Sequence, residues 1–297
     1  MPSLKDLRDR ISSVQSTKKI TSAMKLVAGA RLKKAKTEAE SSRPYVNRMQ
    51  AIIDNVTSNI QNIENAPEII KGKENSKTHL IVLMTSDRGL CGGFNTAITK
   101  LAKAKIKKLL NSNKTVKIFC VGKKGFDHLK SEFKELIIDS ILISTQKKID
   151  YEFAAKISNK ILLMYENEEF DIAHIIFSLF KSAIKQEAQL KQIIPVLHDD
   201  VENISKKDEN KDDAIYEYEP EEEEVLKNLV PQNVAIQIFS GLLENAAGEQ
   251  GARMTAMDSA TRNAGELIDT LKLNYNRSRQ AQITKELIEV ISGAEAV

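Results

Sequence analysis

From Leu226 to Val297 the chain carries no proline after Pro231, and its apolar residues return every three or four positions. Phe239, Leu242, Leu243 and Ala246 are followed by Met254, Met257, Thr261, Ala264, Leu267, Ile268 and Leu271. That is the period of a helix, since a strand would repeat every two residues. One helix over this span would be roughly 100 Å long at ~1.5 Å per residue. Helices of globular domains run nearer ~11 residues, so a helix this long needs a partner along its length. Gly241, Gly248, Gly251 and Gly265 sit inside the pattern, among Ala246, Ala247, Ala252, Ala256, Ala260 and Ala264. Each glycine costs an exposed helix about 1 kcal/mol relative to alanine. Either the helix is broken into pieces, or the small residues keep a face bare for another backbone. The lack of a proline or turn dipeptide favours the bare face. The other end of the chain offers the partner helix.

That other end, residues 3–60, is a second helical stretch. Ser3 is a suitable N-cap, with Asp6 three residues on as a weaker capping box. Leu4, Leu7, Ile11 and Val14 make one apolar stripe; after the polar "QSTKK", Ile20, Met24 and Val27 continue it, rotated. Ala28, Gly29 and Ala30 form another bare patch, and Arg31, Lys33, Lys34 and Lys36 a dense basic face. Pro44 is the expected kink or boundary. Met49, Ile52, Ile53, Val56 and Ile60 restore the helical period beyond it.

The middle reads differently. "HLIVLMTS" and "TVKIFCVG" are short continuous apolar runs, the mark of strands buried on both faces. "KELIIDSILIS" and "DIAHIIFSLFKSA" hold further strands, and "QLKQIIPVLH" a last one, sent to the sheet edge by Pro195. Between them, "TAITKLAKAKIKKLLNSN", "KKGFDHLKSEF" and "DYEFAAKISNKILLMYENEEF" are helical. Strands alternating with helices imply an α/β layer with a mainly parallel sheet. The expected organisation is a helix over 1–61, an α/β domain over 76–198, a charged loop and foot over 199–224, and a helix over 225–297.

Chemistry is sparse. Cys91 and Cys120 match no metal spacing, and His79, His128, His174 and His198 are scattered. The charge of +3 hides a basic first 50 residues and an acidic 199–224, but no zinc-finger or RNP-type motif points to nucleic acid. No apolar run approaches the ~20 residues that span a bilayer. Gly89, Leu90, Cys91, Gly92 and Gly93 lie between a strand and a helix, where a phosphate could be cradled. Their spacing is neither GxGxxG nor GxxxxGK[ST], and nothing nominates a base for Cys91. A tight turn, or a loop that meets another protein through Arg88, fits better. No cofactor and no metal is expected.

Three segments carry a resemblance over the whole chain: "LRDRISSVQSTKKITSAMKLVAGARLKKA", "TSDRGLCGGFN", and "SGLLENAAGEQGARMTAMDSATRNAGELI" continuing to "YNRSRQAQITKELIEVISGAEA". They resemble the gamma subunits of rotary (F-type) ATP synthases. The resemblance implies a Rossmann-like α/β insert without a nucleotide site. It implies flanking helices wound into an antiparallel, left-handed coiled coil. It implies a non-catalytic rotor turned by a ring of c subunits, whose C-terminal end lies inside a hexamer of alpha and beta subunits, with epsilon beside the α/β domain. Membrane association would be through the complex only, on the cytoplasmic face of a bacterial inner membrane or, for a trimmed organellar form, on the matrix side. Residue by residue, it implies hexamer contacts at Met24 and Lys25, with Arg279, Gln280 and Thr284 opposite them, and at Arg88, Cys91, Glu249 and Arg253. It implies foot contacts with the c ring and epsilon at Tyr216, Glu217, Tyr218, Arg31, Lys33 and Lys34. The rivals are a nucleotide-binding α/β enzyme using the glycine loop, and a coiled-coil scaffold.

Overall fold

The computed structural model describes residues 3–59, 68–73, 76–146, 148–196 and 222–295. Helix α1 (Leu4–Asn59) and the short α2 (Glu68–Lys71) lead into β1 (Thr78–Met84), α3 (Phe94–Asn111), β2 (Thr115–Val121) and α4 (Lys123–Phe133). Then come β3 (Ile137–Ile141), α5 (Tyr151–Glu166), β4 (Ile172–Phe180), β5 (Gln186–Ile194) and α6 (Glu222–Glu295). The five strands lie in the order β3-β2-β1-β4-β5, with β5 antiparallel to β4 and the other neighbours parallel.

The apolar run of β1 has a direct cause. Leu80, Val82 and Met84 enter a core with Phe153, Ala154, Ile157 and Ile161 of α5 and Val234, Ile238 and Leu242 of α6. Ile81 and Leu83 point the other way, into a core with Ile98, Ala102 and Ile106 of α3 and Leu129 of α4. A strand covered on both faces cannot alternate polar with apolar residues. The edge strand β3 does alternate, and its Asp139 pairs with Lys160 of α5.

Three expectations change. Pro44 neither ends nor divides α1, which runs on to Asn59. The proline is exposed, and the turns beyond it are held by tertiary contacts: Met49 and Ile53 join Ile70, Val196, Val230 and Ile236 in a third core. That packing outweighs the lost backbone bond. Strand β5 is at the edge, as expected, but it starts earlier, at Gln186, and Pro195 follows the ladder through a cis bond. Its edge place comes from the antiparallel hairpin with β4, not from the proline. The glycines of α6 do keep a bare face in an unbroken helix, yet mostly not for the N-terminal helix. A Cβ on Gly241 would meet Met84, on Gly248 would meet Phe94, and on Gly251 would lie 3.3 Å from the Ala183 backbone. These three let the sheet domain approach.

Contacts divide the chain into two compact units, one of residues 31–252 and one of residues 1–30 with 253–297. In the second, Ser3 and Asp6 cap α1 reciprocally, each backbone N–H meeting the other's side chain at 3.1 Å. Arg8 donates to Tyr275 at 3.0 Å, Lys18 reaches over Gly265, and the Thr21 and Thr261 hydroxyls lie 2.8 Å apart. Lys25 then pairs with Asp258 at 2.5 Å, and Gly29 faces the sulfur of Met254. Each step up one helix matches a step down the other, so the pair is antiparallel. The contacts recur at three and four residues, the seam spacing of paired helices. Leu7, Ala28, Met257, Ala264, Ile268 and Leu271 fill the seam.

Under α3, the buried His79 of β1 stacks on His174 of β4 with ring centres 5.7 Å apart. Burial pushes the His79 imidazole down to about 4, helped by Lys105 and Lys114 and opposed by Asp171. An unfolded histidine titrates near ~6.5. Neutral His79 therefore contributes stability that is complete above that pH and is lost as pH falls toward 4. The loss amounts to about 3 kcal/mol at 1.36 kcal/mol per pKa unit. Denaturant unfolding at several pH values should show this slope, and His79→Leu should flatten it. An equal slope in the variant would contradict the assignment.

Candidate interaction surface

The loop after β1 is built to hold two residues outward. Ser86 donates from its hydroxyl to Arg88 O at 2.6 Å, and its N–H meets Asn95 Oδ1 at 3.0 Å. The Asn95 amide reaches Ser86 Oγ at 2.8 Å and Cys91 Sγ at 3.3 Å. Asp87 accepts from the N–H groups of Lys123 and Ser144, fastening the loop to α4 and to the turn after β3. Within this frame Cys91 is 2% exposed, while Leu90 stands 63% exposed at φ 63°. Cys91, expected as a contact, thus faces the core, and the outward pair is Arg88 and Leu90. Sequence reasoning passed over Leu90. The letters carry no signal for it, because Leu90 is set outward only by the inward turn of Ser86, Cys91 and Asn95.

Open α/β sheets take ligands at the carboxyl ends of the strands, where the strand order reverses. Here that reversal lies between β1 and β4, and α6 fills the place. Glu244 accepts from the Phe180 N–H at 2.9 Å and Asn245 from the Ser178 N–H at 3.2 Å. The glycine face of α6 covers the ends of both strands. A helix, not a nucleotide, satisfies these amides. Among the described residues no group of acidic, histidine or cysteine side chains could hold a metal.

Along the long helices the expected contact residues separate. Met24 and Lys25 are half-buried on α1, and the Asp258 carboxyl is held below its usual range chiefly by its hydrogen bond from Lys25. Arg279, Gln280 and Thr284 are not opposite them. Since Arg8 meets Tyr275, Arg279 lies level with the first turn of α1, and Thr284 beyond it. All three are exposed, as is every residue from 281 to 292. On that stretch Ile283, Leu287, Ile288, Val290 and Ile291 are each about half exposed or more. The rotated stripe of α1 behaves alike: Ile20 is 60% and Val27 52% exposed, with Leu26 beside them. The rotation after "QSTKK" was the sign that this stripe leaves the seam.

Glu249 is half-buried and Arg253 buried. Arg31, Lys33, Lys34 and Lys36 are exposed, Lys36 beside Glu40 at 3.7 Å. Tyr216, Glu217 and Tyr218 lie outside the described residues. A groove of about 440 Å³ opens between α1, the start of α5 and α6, lined by Tyr45, Lys148, Tyr151, Ile236, Phe239 and Leu243. Among the described residues no helix is long and apolar enough to cross a membrane.

The family model described as ATP synthase matches residues 3–297. The ATP synthase gamma chain of Sinorhizobium medicae is 51% identical, covering 100% of both chains. That of Pelagibacter ubique is 50% identical, with the same coverage. Among solved structures, a chain of the Tetrahymena thermophila mitochondrial ATP synthase central stalk and c-ring is 25% identical, with a TM-score of 0.59 over 81% of this chain and 99% of that one. A chain of the Euglena gracilis mitochondrial enzyme, at 20% identity, has the same fold, with a TM-score of 0.68 over 99% of this chain and 94% of that one.

Proposed function

We propose that this chain, which belongs to the ATP synthase gamma-chain family, is the non-catalytic rotor of the central stalk and carries rotation to the catalytic subunits. The observation that carries the reading is the antiparallel helix pair, which keeps a second set of apolar residues outside its seam. Ile20, Leu26 and Val27 on α1, and Ile283 to Ile291 on α6, are a surface that only other subunits would cover. Two unlike helices have no threefold symmetry. Turned inside a ring of alternating alpha and beta subunits, they meet each beta subunit with a different face. Differential contact biases otherwise identical sites toward different states, which is what alternating catalysis requires.

The contact roles proposed here rest on the family resemblance and on which side chains are exposed. Met24, Lys25, Arg279, Gln280 and Thr284 would face the hexamer, as would Glu249 and Arg253. Arg88, with Leu90 now taking the place given to Cys91, would meet the hexamer's underside. Arg31, Lys33 and Lys34, with Tyr216, Glu217 and Tyr218, would serve the c ring and epsilon. The aromatic groove suits an apolar cluster from such a neighbour. The chain is then a peripheral part of the membrane complex, on its cytoplasmic face in a bacterium.

Reconstitution tests this. Added to alpha and beta subunits, the chain should yield an assembled complex with ATPase activity. If alpha and beta stay unassembled in its presence, the rotor reading fails. Titration of the isolated chain with ATP or NAD should give no micromolar binding; such binding at the glycine loop would favour the enzyme alternative.

A further inference from the structure

Arg43 of α1 and Glu244 of α6 meet at one point on the sheet. The guanidinium places Nε 2.6 Å from Glu244 Oε1 and donates from Nη2 to Glu244 Oε2 at 3.0 Å. The same Nη2 donates to the carbonyl of Phe180 at 2.8 Å, and the carboxylate takes the Phe180 N–H at 2.9 Å. Both backbone groups of the last residue of β4 are thus held by one ion pair. The Glu244 side chain is 2% exposed, and the hydrogen bond to it raises the Arg43 pKa further.

Stability alone does not call for this arrangement. A buried ion pair is often no better than apolar residues of the same volume, because desolvating the charges offsets their attraction. What the pair supplies is direction. A planar fork on a carboxylate fixes distance and angle together, which methyl groups sliding on one another do not. The residues it orients are the two long helices and the end of a central strand.

We propose that Arg43 and Glu244 are positioning residues for torque: a rigid strut that keeps α1 and α6 from turning against the sheet domain while the rotor is loaded. This rests on the rotor reading above. Without the strut, the helices stay packed by their apolar contacts but yield under load. Part of each rotation is then absorbed at the joint rather than delivered.

The test compares wild type with the double variant Arg43→Met, Glu244→Leu, each assembled in its complete membrane complex in sealed vesicles. Two rates are read together, ATP hydrolysis and ATP-driven proton uptake, alongside thermal melting of the isolated chain. The expected result is melting and hydrolysis close to wild type, with proton uptake per ATP reduced at least threefold. A ratio equal to wild type overturns the proposal. Should the double variant fail to fold, Arg43→Lys keeps the charge but not the fork. It should lower the same ratio, and an unchanged ratio there is equally fatal. Failure of the wild-type chain to join the complex would instead sink the rotor reading, so the two failures are distinguishable.

Discussion

Arg43→Ala is expected to destabilise the protein by about 3 kcal/mol, the low end of the range for breaking a buried ion pair. The carboxylate of Glu244 would remain behind, 2% exposed, with the Phe180 N–H still donating to it. Removing one partner of a buried pair costs more than the pair itself is worth, because the desolvated charge is left uncompensated. Arg43 is itself 40% exposed, so water can enter where the guanidinium was, which keeps the loss near the low end. The Phe180 carbonyl also loses its side-chain donor. Urea unfolding should show a lower midpoint with an unchanged slope, since the surface exposed on unfolding is the same. A midpoint like that of wild type would mean that the pair is solvated in solution. The double apolar variant should recover most of the loss, which separates an orphaned charge from a lost packing contact.

Gly122→Ala should do comparable or greater harm by a different route. Gly122 has φ 106°, outside the range that side-chain-bearing residues adopt readily. A Cβ there would fall 2.1 Å from the carbonyl oxygen of Thr85 and 2.8 Å from its Oγ1. Neither side can retreat. Thr85 N–H bonds Val121 O and Gly122 N–H bonds Ile141 O, both at 2.8 Å, so the turn is tied into the β1, β2 and β3 ladders. Strain of the backbone at about 1–3 kcal/mol adds to overpacking of about the same size. A loss of at least about 3 kcal/mol is expected, read by the same unfolding measurement. Gly93→Ala is the control, since a Cβ there meets nothing within 4 Å. Its change should stay within about 1 kcal/mol. If the two variants lose equally, the steric account is wrong.

Much of the fold was legible because it is written in local periodicity. The runs of β1 and β2, the helical spacing from Phe239 to Leu271, and the Ser3 and Asp6 cap each reflect contacts within a few residues or burial on both faces. The interaction surface was half legible. Arg88 and the rotated stripe of Ile20 and Val27 were read as candidates or as a change of phase. Leu90 was hidden because exposure in a loop depends on which neighbours turn inward, and that is decided by Asn95 and Ser86 together. The position of Arg279 relative to Met24 depended on the register of two helices more than two hundred residues apart in sequence.

The chain's own letters, then, determined which segments are helix and which are strand, that the sheet is mainly parallel, and that glycines and alanines keep part of α6 bare. Only the tertiary structure decided what the bare face meets, that Pro44 is carried through a helix, and that Arg43 and Glu244 grip the end of β4. Hydrophobic period and capping act over a turn or two, so they survive in a one-dimensional string. Register, ion pairing and the choice of partner face are settled by contacts between residues far apart in the chain, and their free energy exists only once the fold has brought those residues together.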